Sequence, residues 1–358
     1  LSLLESSPTY ISPDTTLSLT NFSEDKEAQY SARAMNSFIN NIEYYLPEHT
    51  IDCHELDRAK PHWHVRNSLP KTGVRYLHHS SKDETTLQLA HKAASKVLDG
   101  LSAEELPDTL IVCTQTPDQL LPHVSACLQH ELGLPTSTKC FDISLGCSGY
   151  CYGLSIAYGY MAAGISERVL FVTVDNYSKT IDPENKTSFL IFSDGAAATI
   201  IDKPAAGPTF LFGTDGSRSD SIRCRNSGIS VVTGKDADAP IARPDMQMDG
   251  FKVFQFTVKT IPAEIRQLAE QAGTGMDGID LFIFHQASNK VLESLSSKLG
   301  IPENKMIMDL YEVGNTTSST IPIALKRAEA SGKLKRGDKI MLFGFGIGLS
   351  WSGAVLKY

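Results

Sequence analysis

The chain has 358 residues, a formal charge of −8, 41% hydrophobic and 21% charged residues. That length suits two domain-sized units or one large fold built from two halves, with ample chain for a buried core. The acidic balance argues against a generic nucleic-acid or anionic-membrane binder, and no run approaches the roughly 18 apolar residues of a membrane-spanning helix.

Residues 1–34 are polar and weakly periodic, with Ser-Ser-Pro and Ser-Pro-Asp turn signals. Residues 1–35 therefore read as an N-terminal extension, with Met35 a candidate natural start. The N-terminus lacks the basic, apolar and small-residue succession of a secretory signal, so the expected location is the cytoplasm. A strand begins at Phe38 and runs to Tyr45. Further strands are expected at Thr109–Thr114, Lys139–Ile143, Val169–Val174, Ala196–Ile201, Leu281–Phe284, Lys305–Leu310, Lys339–Phe343 and Ser352–Lys357. Several are near-continuous apolar runs, as in strands buried on both faces. Helices are expected at Val124–Leu132, Gly149–Ala163, Phe254–Ala272, Asn289–Leu299 and Thr320–Ser331. The alternation reads as α/β with layered sheets.

The pattern repeats. In the first half a strand ends at Thr114-Gln115-Thr116. A helix, the strand Phe141-Asp142-Ile143, the pair Gly146-Cys147, a helix and the strand Val169–Val172 follow. In the second half a strand ends at Phe284-His285-Gln286. A helix, Met308-Asp309-Leu310, the pair Gly314-Asn315, a helix and Ile340–Phe343 follow. Two pseudo-equivalent halves, 36–205 and 206–358, would bring matching strand ends together, where α/β sheets hold ligands. Cys147, His285 and Asn315 all lie at such ends.

Seven cysteines occur, Cys53, Cys113, Cys127, Cys140, Cys147, Cys151 and Cys224, with no C-x-x-C pair. A zinc ribbon or thioredoxin-like motif is therefore not expected. Cys147 and Cys151 share a helix face at a spacing poor for a disulfide. His62, His64, His78 and His79 cluster without a Cys or Glu to complete a regular ligand set, so no metal is expected. Cys147 stands between a strand and an apolar helix, where free N–H groups favour a thiolate. Taken singly, a plainer reading exists for each residue: a buried structural cysteine, a satisfied core histidine, and an Asn used as a helix cap.

Together they carry a specific resemblance. Phe141-Asp142 through Gly146-Cys147-Ser148-Gly149-Tyr150, His285-Gln286-Ala287 and Gly314-Asn315-Thr316 resemble the signatures of β-ketoacyl-acyl-carrier-protein synthase III, in the thiolase superfamily. Leu46-Pro47-Glu48, Thr72-Gly73-Val74-Arg75, Phe192-Ser193-Asp194-Gly195-Ala196 and Gly344–Trp351 also match, so the likeness spans about Met35 to Tyr358.

The resemblance implies a thiolase-like αβαβα fold of two pseudo-duplicated halves, and a homodimer paired through the first half. It implies that Cys147 takes an acyl group from an acyl-CoA or acyl-carrier-protein donor. His285 and Asn315 would stabilise the enolate left when a malonyl thioester loses CO2, and backbone N–H groups of Cys147 and Ile347 would hold the next oxyanion. Ile347 stands where relatives usually have Gly. No cofactor is implied. Arg75, Lys179, Gly250, Phe254 and Ser288 fall at positions that contact coenzyme A, pantetheine or the tunnel mouth. Lys290 and Lys298 fall where basic residues dock the acyl carrier protein; ordinary surface lysines are the plainer reading.

There are departures. Lys71 occupies the position read as that of the adenine-stacking Trp. Ser288 stands for the usual Asn, with Asn289 one place later, and Lys179 for an Arg. They point toward a carrier-protein donor or an unusual acyl-CoA. Three rival readings remain at this stage: a non-decarboxylating acyltransferase on the same fold, a non-catalytic partner subunit of a heterodimer, and a chalcone-synthase-like enzyme suggested by Gly344–Leu349.

Overall fold

The computed structural model describes residues 37–228 and 244–358. The expected extension, residues 1–35 with Met35, lies outside them. The first sheet contains β1 (Ile39–Tyr45), β2 (Thr109–Cys113), β3 (Lys139–Ile143), β4 (Arg168–Asp175) and β5 (Gly195–Asp202). Their order is β1-β5-β4-β2-β3. The second contains β6 (Thr209–Thr214), β7 (Leu281–Phe284), β8 (Lys339–Gly346) and β9 (Ser350–Lys357), in the order β7-β8-β9-β6. In each sheet a parallel pair, β2 with β4 or β7 with β8, continues into two antiparallel neighbours. The internal repeat of the sequence is thus a repeat of strand pairing.

Six longer helices complete the layers: α1 (Thr86–Leu98), α2 (Val124–Glu131), α3 (Gly149–Ala162), α4 (Gly250–Gln271), α5 (Asn289–Leu299) and α6 (Thr320–Ala330). α1 and α2 cover the outer face of the first sheet through Leu89, Ala93, Val97 and Leu128, packed on Leu110, Val112 and Leu170. α3 and α6 lie between the sheets, with Leu154, Met161, Ile321 and Leu325 in one cluster with Ile111, Phe171, Ile283 and Leu342. α4 and α5 cover the second sheet's outer face. α3 is apolar nearly all round, and most of its side chains are buried or half-buried. Each large apolar side chain buried this way contributes roughly 1.5–3 kcal/mol.

Three differences from the sequence reading have physical causes. Lys305–Leu310 is not a strand. Its pairing is reduced to one bridge between Phe282 and Met306, after which Gln286 takes over. The Gln286 amide donates to Ile307 O and accepts Asp309 N–H at 2.7 Å, replacing a backbone ladder with a side chain. α1 was not expected, although Thr85 and Gln88 form a capping box that marks its start. α4 begins at Gly250 rather than Phe254, because the Asp249 carboxylate caps Lys252 N–H at 3.0 Å. Among the described residues no helix is long and apolar enough to cross a membrane.

Candidate active site

Cys147 sits in the turn from β3 into α3. Asp142 on β3 fixes that region by capping α2 at Val124 N–H and Ser125 N–H, 2.7 and 2.9 Å. The turn is held to the second half by Ser148, whose hydroxyl meets Ser350 at 2.8 Å and whose carbonyl accepts from Ser352 at 2.6 Å. The end of β8 passes directly over the sulfur. A Cβ at Gly346 would lie 2.8 Å from Cys147 Sγ, so only glycine leaves the nucleophile its place.

Backbone N–H groups of Ile347 and of Cys147 itself are directed at Sγ and pull its pKa down. Burial outweighs them, and together with the nearby Asp175 carboxylate it pushes the thiol up to about 12. The resting group is therefore a thiol, not the thiolate that the helix N-terminus alone would favour.

His285 directly follows β7, its N–H bonded to Phe343 O at 2.8 Å. Nδ1 is 2.7 Å from Thr320 Oγ1, which turns the Nε2 edge to the cavity. Burial drives the imidazole down to about 3, against a backbone contact to Thr317, so the ring is neutral at ordinary pH.

Asn315 is built by both halves. Its N–H donates to Ile191 O and its carbonyl accepts from Ser193 N–H, both at 2.9 Å. Gly314 before it has φ +71°, and a Cβ there would lie 2.4 Å from Ser193 Oγ. The side-chain Oδ1 accepts Thr317 N–H at 2.9 Å, which leaves the amide Nδ2 as the free donor end.

Cys147, His285 and Asn315 line one cavity of about 310 Å³. Gly250, Phe254, Ser288, Lys290 and Ile347 line it as well. Ser288 also caps α5 at Val291 N–H, and Lys290 Nζ sits 5.2 Å from the Phe254 ring centre. Three residues from the sequence reading are elsewhere. Arg75 is not among the lining residues; its guanidinium pairs with Asp52 at 2.6 Å. Lys179 donates to Ser81 O, and Lys298 to Val258 O at 3.0 Å on α4.

The cations on the cavity are Lys71 and Lys290. Sequence reasoning treated Lys71 only as a lost aromatic. It gave no lining role to Thr72, Phe345 or Met248, which also line the cavity. A larger open groove of about 830 Å³ runs past Glu48, Asp83, Glu84 and Glu131 and touches none of the three reactive residues.

The seven cysteines are all free. Of the histidine cluster, His78 and His79 are used structurally. His78 bonds Pro47 O and Glu312 O at 2.9 Å each, and His79 lies edge-on to Phe189. Among the described residues no group of three or more His, Cys, Asp or Glu is placed to hold a metal ion.

Two mixed sheets enclosing a buried helix pair, with a cysteine at the head of one helix, define the α/β thiolase-like fold, and solved structures share it. Two family descriptions match the chain: 3-oxoacyl-acyl-carrier-protein (ACP) synthase III over residues 141–216, and its C-terminal part over 269–358. A Clostridium tetani β-ketoacyl-acyl-carrier-protein synthase III is 32% identical over 330 residues, 88% of this chain and 96% of that protein. A crystal structure of a 3-oxoacyl-acyl-carrier-protein synthase III is 35% identical with a TM-score of 0.82, covering 90% of this chain and 100% of the other. The priming β-ketosynthase of the R1128 polyketide pathway is 28% identical with a TM-score of 0.80, covering 90% and 96%. The chain belongs to the 3-oxoacyl-acyl-carrier-protein synthase III family and is an acyltransferase of that type.

Proposed function

We propose that the protein loads an acyl group on Cys147 and condenses it, with loss of CO2, onto a malonyl thioester carried by acyl carrier protein. The observation that carries this reading is the convergence of a thiol, an imidazole and a carboxamide on one cavity, with two backbone N–H groups aimed at the sulfur.

In the first step the Cys147 sulfur attacks the donor thioester carbonyl. The donor's C–S bond breaks, and its thiol leaves with the proton that Cys147 gives up. In the second, the malonyl carboxylate leaves as CO2 and its electron pair moves onto the thioester carbonyl. Asn315 Nδ2–H stabilises that enolate oxygen, and His285 Nε2–H joins it once the Thr320 hydroxyl turns from Thr317 O to donate to Nδ1, which places the ring proton on Nε2. The enolate carbon then attacks the acyl-Cys147 carbonyl, whose oxyanion is held by Cys147 N–H and Ile347 N–H. Collapse releases the β-ketoacyl thioester and a Cys147 thiolate, which takes a proton from solvent, the one proton that decarboxylation consumes. Intact-mass measurement after exposure to acyl-CoA and acyl-carrier thioesters, with Cys147→Ala as control, tests the first step. Absence of any Cys147-dependent adduct would refute the reading.

Lys71 and Lys290 beside the cavity suit a phosphopantetheine-bearing, acidic carrier protein better than an adenine-stacking site. This supports a carrier-protein partner and a specialised rather than a general priming role. A homodimer is proposed through the first half, where β3 is an edge strand of its sheet with one side unpaired among the described residues. Sedimentation at micromolar concentration should give twice the chain mass.

Two substitutions follow from the geometry around the sulfur. Gly346→Ala should slow acyl loading about 10²-fold by pushing Sγ aside, read as the adduct formation rate. Ile347 packs with the cluster containing Tyr177, Phe192 and Ile222 and lies along the cavity beside Cys147. Ile347→Ala should shift the preferred acyl donor toward longer chains by about tenfold in relative kcat/KM, as expected for methylene-scale changes in an apolar pocket. An unchanged chain-length profile would show that Ile347 does not bound the acyl site.

A further inference from the structure

We propose that Asp175 and Thr317 form a positioning pair that aims both decarboxylating groups, the Asn315 amide and the His285 ring. This rests on the condensing role proposed for those two residues.

Asp175 ends β4 and is fully buried, yet no ion pair among the described residues reaches it. Its carboxylate is instead the meeting point of the two halves. Oδ1 accepts Gln115 N–H at 2.8 Å and the Thr116 and Thr114 hydroxyls at 3.3 and 3.4 Å, all from the first half. Oδ2 accepts the Thr317 hydroxyl, and the Ser318 hydroxyl at 3.3 Å, both from the second. A buried carboxylate with this many donors is held for its acceptor capacity, since burial without them would be costly.

What it holds is a strained backbone. Thr317 has φ +53°, a left-handed conformation unusual for a β-branched residue. Both backbone groups of that residue face the reactive side chains. Its N–H donates to Asn315 Oδ1 at 2.9 Å, which fixes the amide with Nδ2 outermost. Its carbonyl lies 2.9 Å from Thr320 Oγ1, which in turn is 2.7 Å from His285 Nδ1. In an ordinary right-handed conformation Thr317 would present neither group in these directions. One hydroxyl–carboxylate bond therefore sets the orientation of an amide and places the Thr317 carbonyl beside Thr320, the residue that holds the imidazole. Asp175 and Thr317 touch no substrate in this scheme.

The charge state of the carboxylate enters the same way. Burial raises Asp175 to about 6, with the hydroxyl and N–H donors opposing. The titratable groups that face it are the Cys113 and Cys147 thiols and the Tyr177 phenol. Burial keeps all three protonated through neutral pH. His285 is neutral there as well. Protonation of Asp175 below pH 6 weakens its hold on the Thr317 hydroxyl while the other groups stay as they are.

The test uses Asp175→Asn and Thr317→Val in the full chain, each first loaded at Cys147 with an acyl group. Release of labelled CO2 from a carboxyl-labelled malonyl thioester is then measured between pH 5 and 9, beside the rate of acyl loading. CO2 release should fall about 10²-fold in Asp175→Asn and about tenfold in Thr317→Val, well beyond any change in loading. The wild-type acid limb near pH 6 should vanish in Asp175→Asn.

CO2 release at the wild-type rate in Thr317→Val overturns the proposal, as does an unmoved acid limb in Asp175→Asn. Should Asp175→Asn fail to fold, Thr317→Val decides alone, since valine keeps the β-branched shape. Asn315→Ala separates the two levels of the argument. If it decarboxylates normally, the condensing role fails. If it is impaired while both positioning variants are not, only the positioning role fails.

Discussion

Cys147→Ala is expected to remove the acyl adduct entirely and to lower condensation by on the order of 10⁴ or more, because a covalent route cannot proceed without its nucleophile. The substitution deletes one buried sulfur at the head of α3 and leaves the Ser148 anchors to Ser350 and Ser352 intact. Its melting temperature should therefore stay within a few degrees of wild type. Mass spectrometry of the intact chain checks the adduct, and thermal unfolding checks the fold. An adduct of undiminished yield in this variant would move the nucleophile to another cysteine. Cys113 and Cys151 are also buried, but neither lines the cavity.

His285→Ala and Asn315→Ala should each cut CO2 release by about 10²–10³, the usual cost of losing one donor to a developing oxyanion. Acyl loading of Cys147 should change far less, because the proposed loading oxyanion site uses backbone N–H groups of Cys147 and Ile347 rather than these side chains. The double variant should fall short of the summed losses, since both donors serve one oxygen. Single-turnover assays with pre-acylated enzyme isolate the step. Should either single variant release CO2 at normal speed, that residue has another role.

His285 also carries a pH consequence of definite sign. Its pKa in the fold, about 3, lies below the unfolded value of about 6.5. The unfolded chain therefore binds a proton that the folded chain refuses, and stability is lost as pH falls below 6.5. Between pH 6.5 and 5 this amounts to about 2 kcal/mol. Denaturant titrations of wild type and His285→Ala at pH 7.5 and 5 should show a smaller acid loss in the variant.

Much of this molecule was readable along the chain. The segments Leu281–Phe284, an apolar run, and Lys139–Ile143 are strands with those same bounds. The Gly-Cys and Gly-Asn turns recur at equivalent points of the two halves, because a duplicated strand order repeats its turns. α1 is marked in the sequence by Thr85 and Gln88, a local capping signal. Lys305–Leu310 is different. Its pattern suits a strand, and only the arrival of the Gln286 side chain diverts its backbone groups.

The types of reactive group were likewise legible, since a thiol, an imidazole and a carboxamide each stand beside a turn in a recognisable local motif. Their states were not. A helix N-terminus argues locally for a thiolate, but burial is a property of the assembled layers, and it leaves Cys147 protonated and His285 neutral. Nor could local pattern show that Arg75 is committed to Asp52 while Lys71 lines the cavity. Periodicity and turn chemistry act over a few residues and are written in order along the chain. Desolvation, the meeting of both halves at Asp175, and the passage of Gly346 over the sulfur depend on residues more than a hundred positions apart, and so were decided only by the tertiary structure.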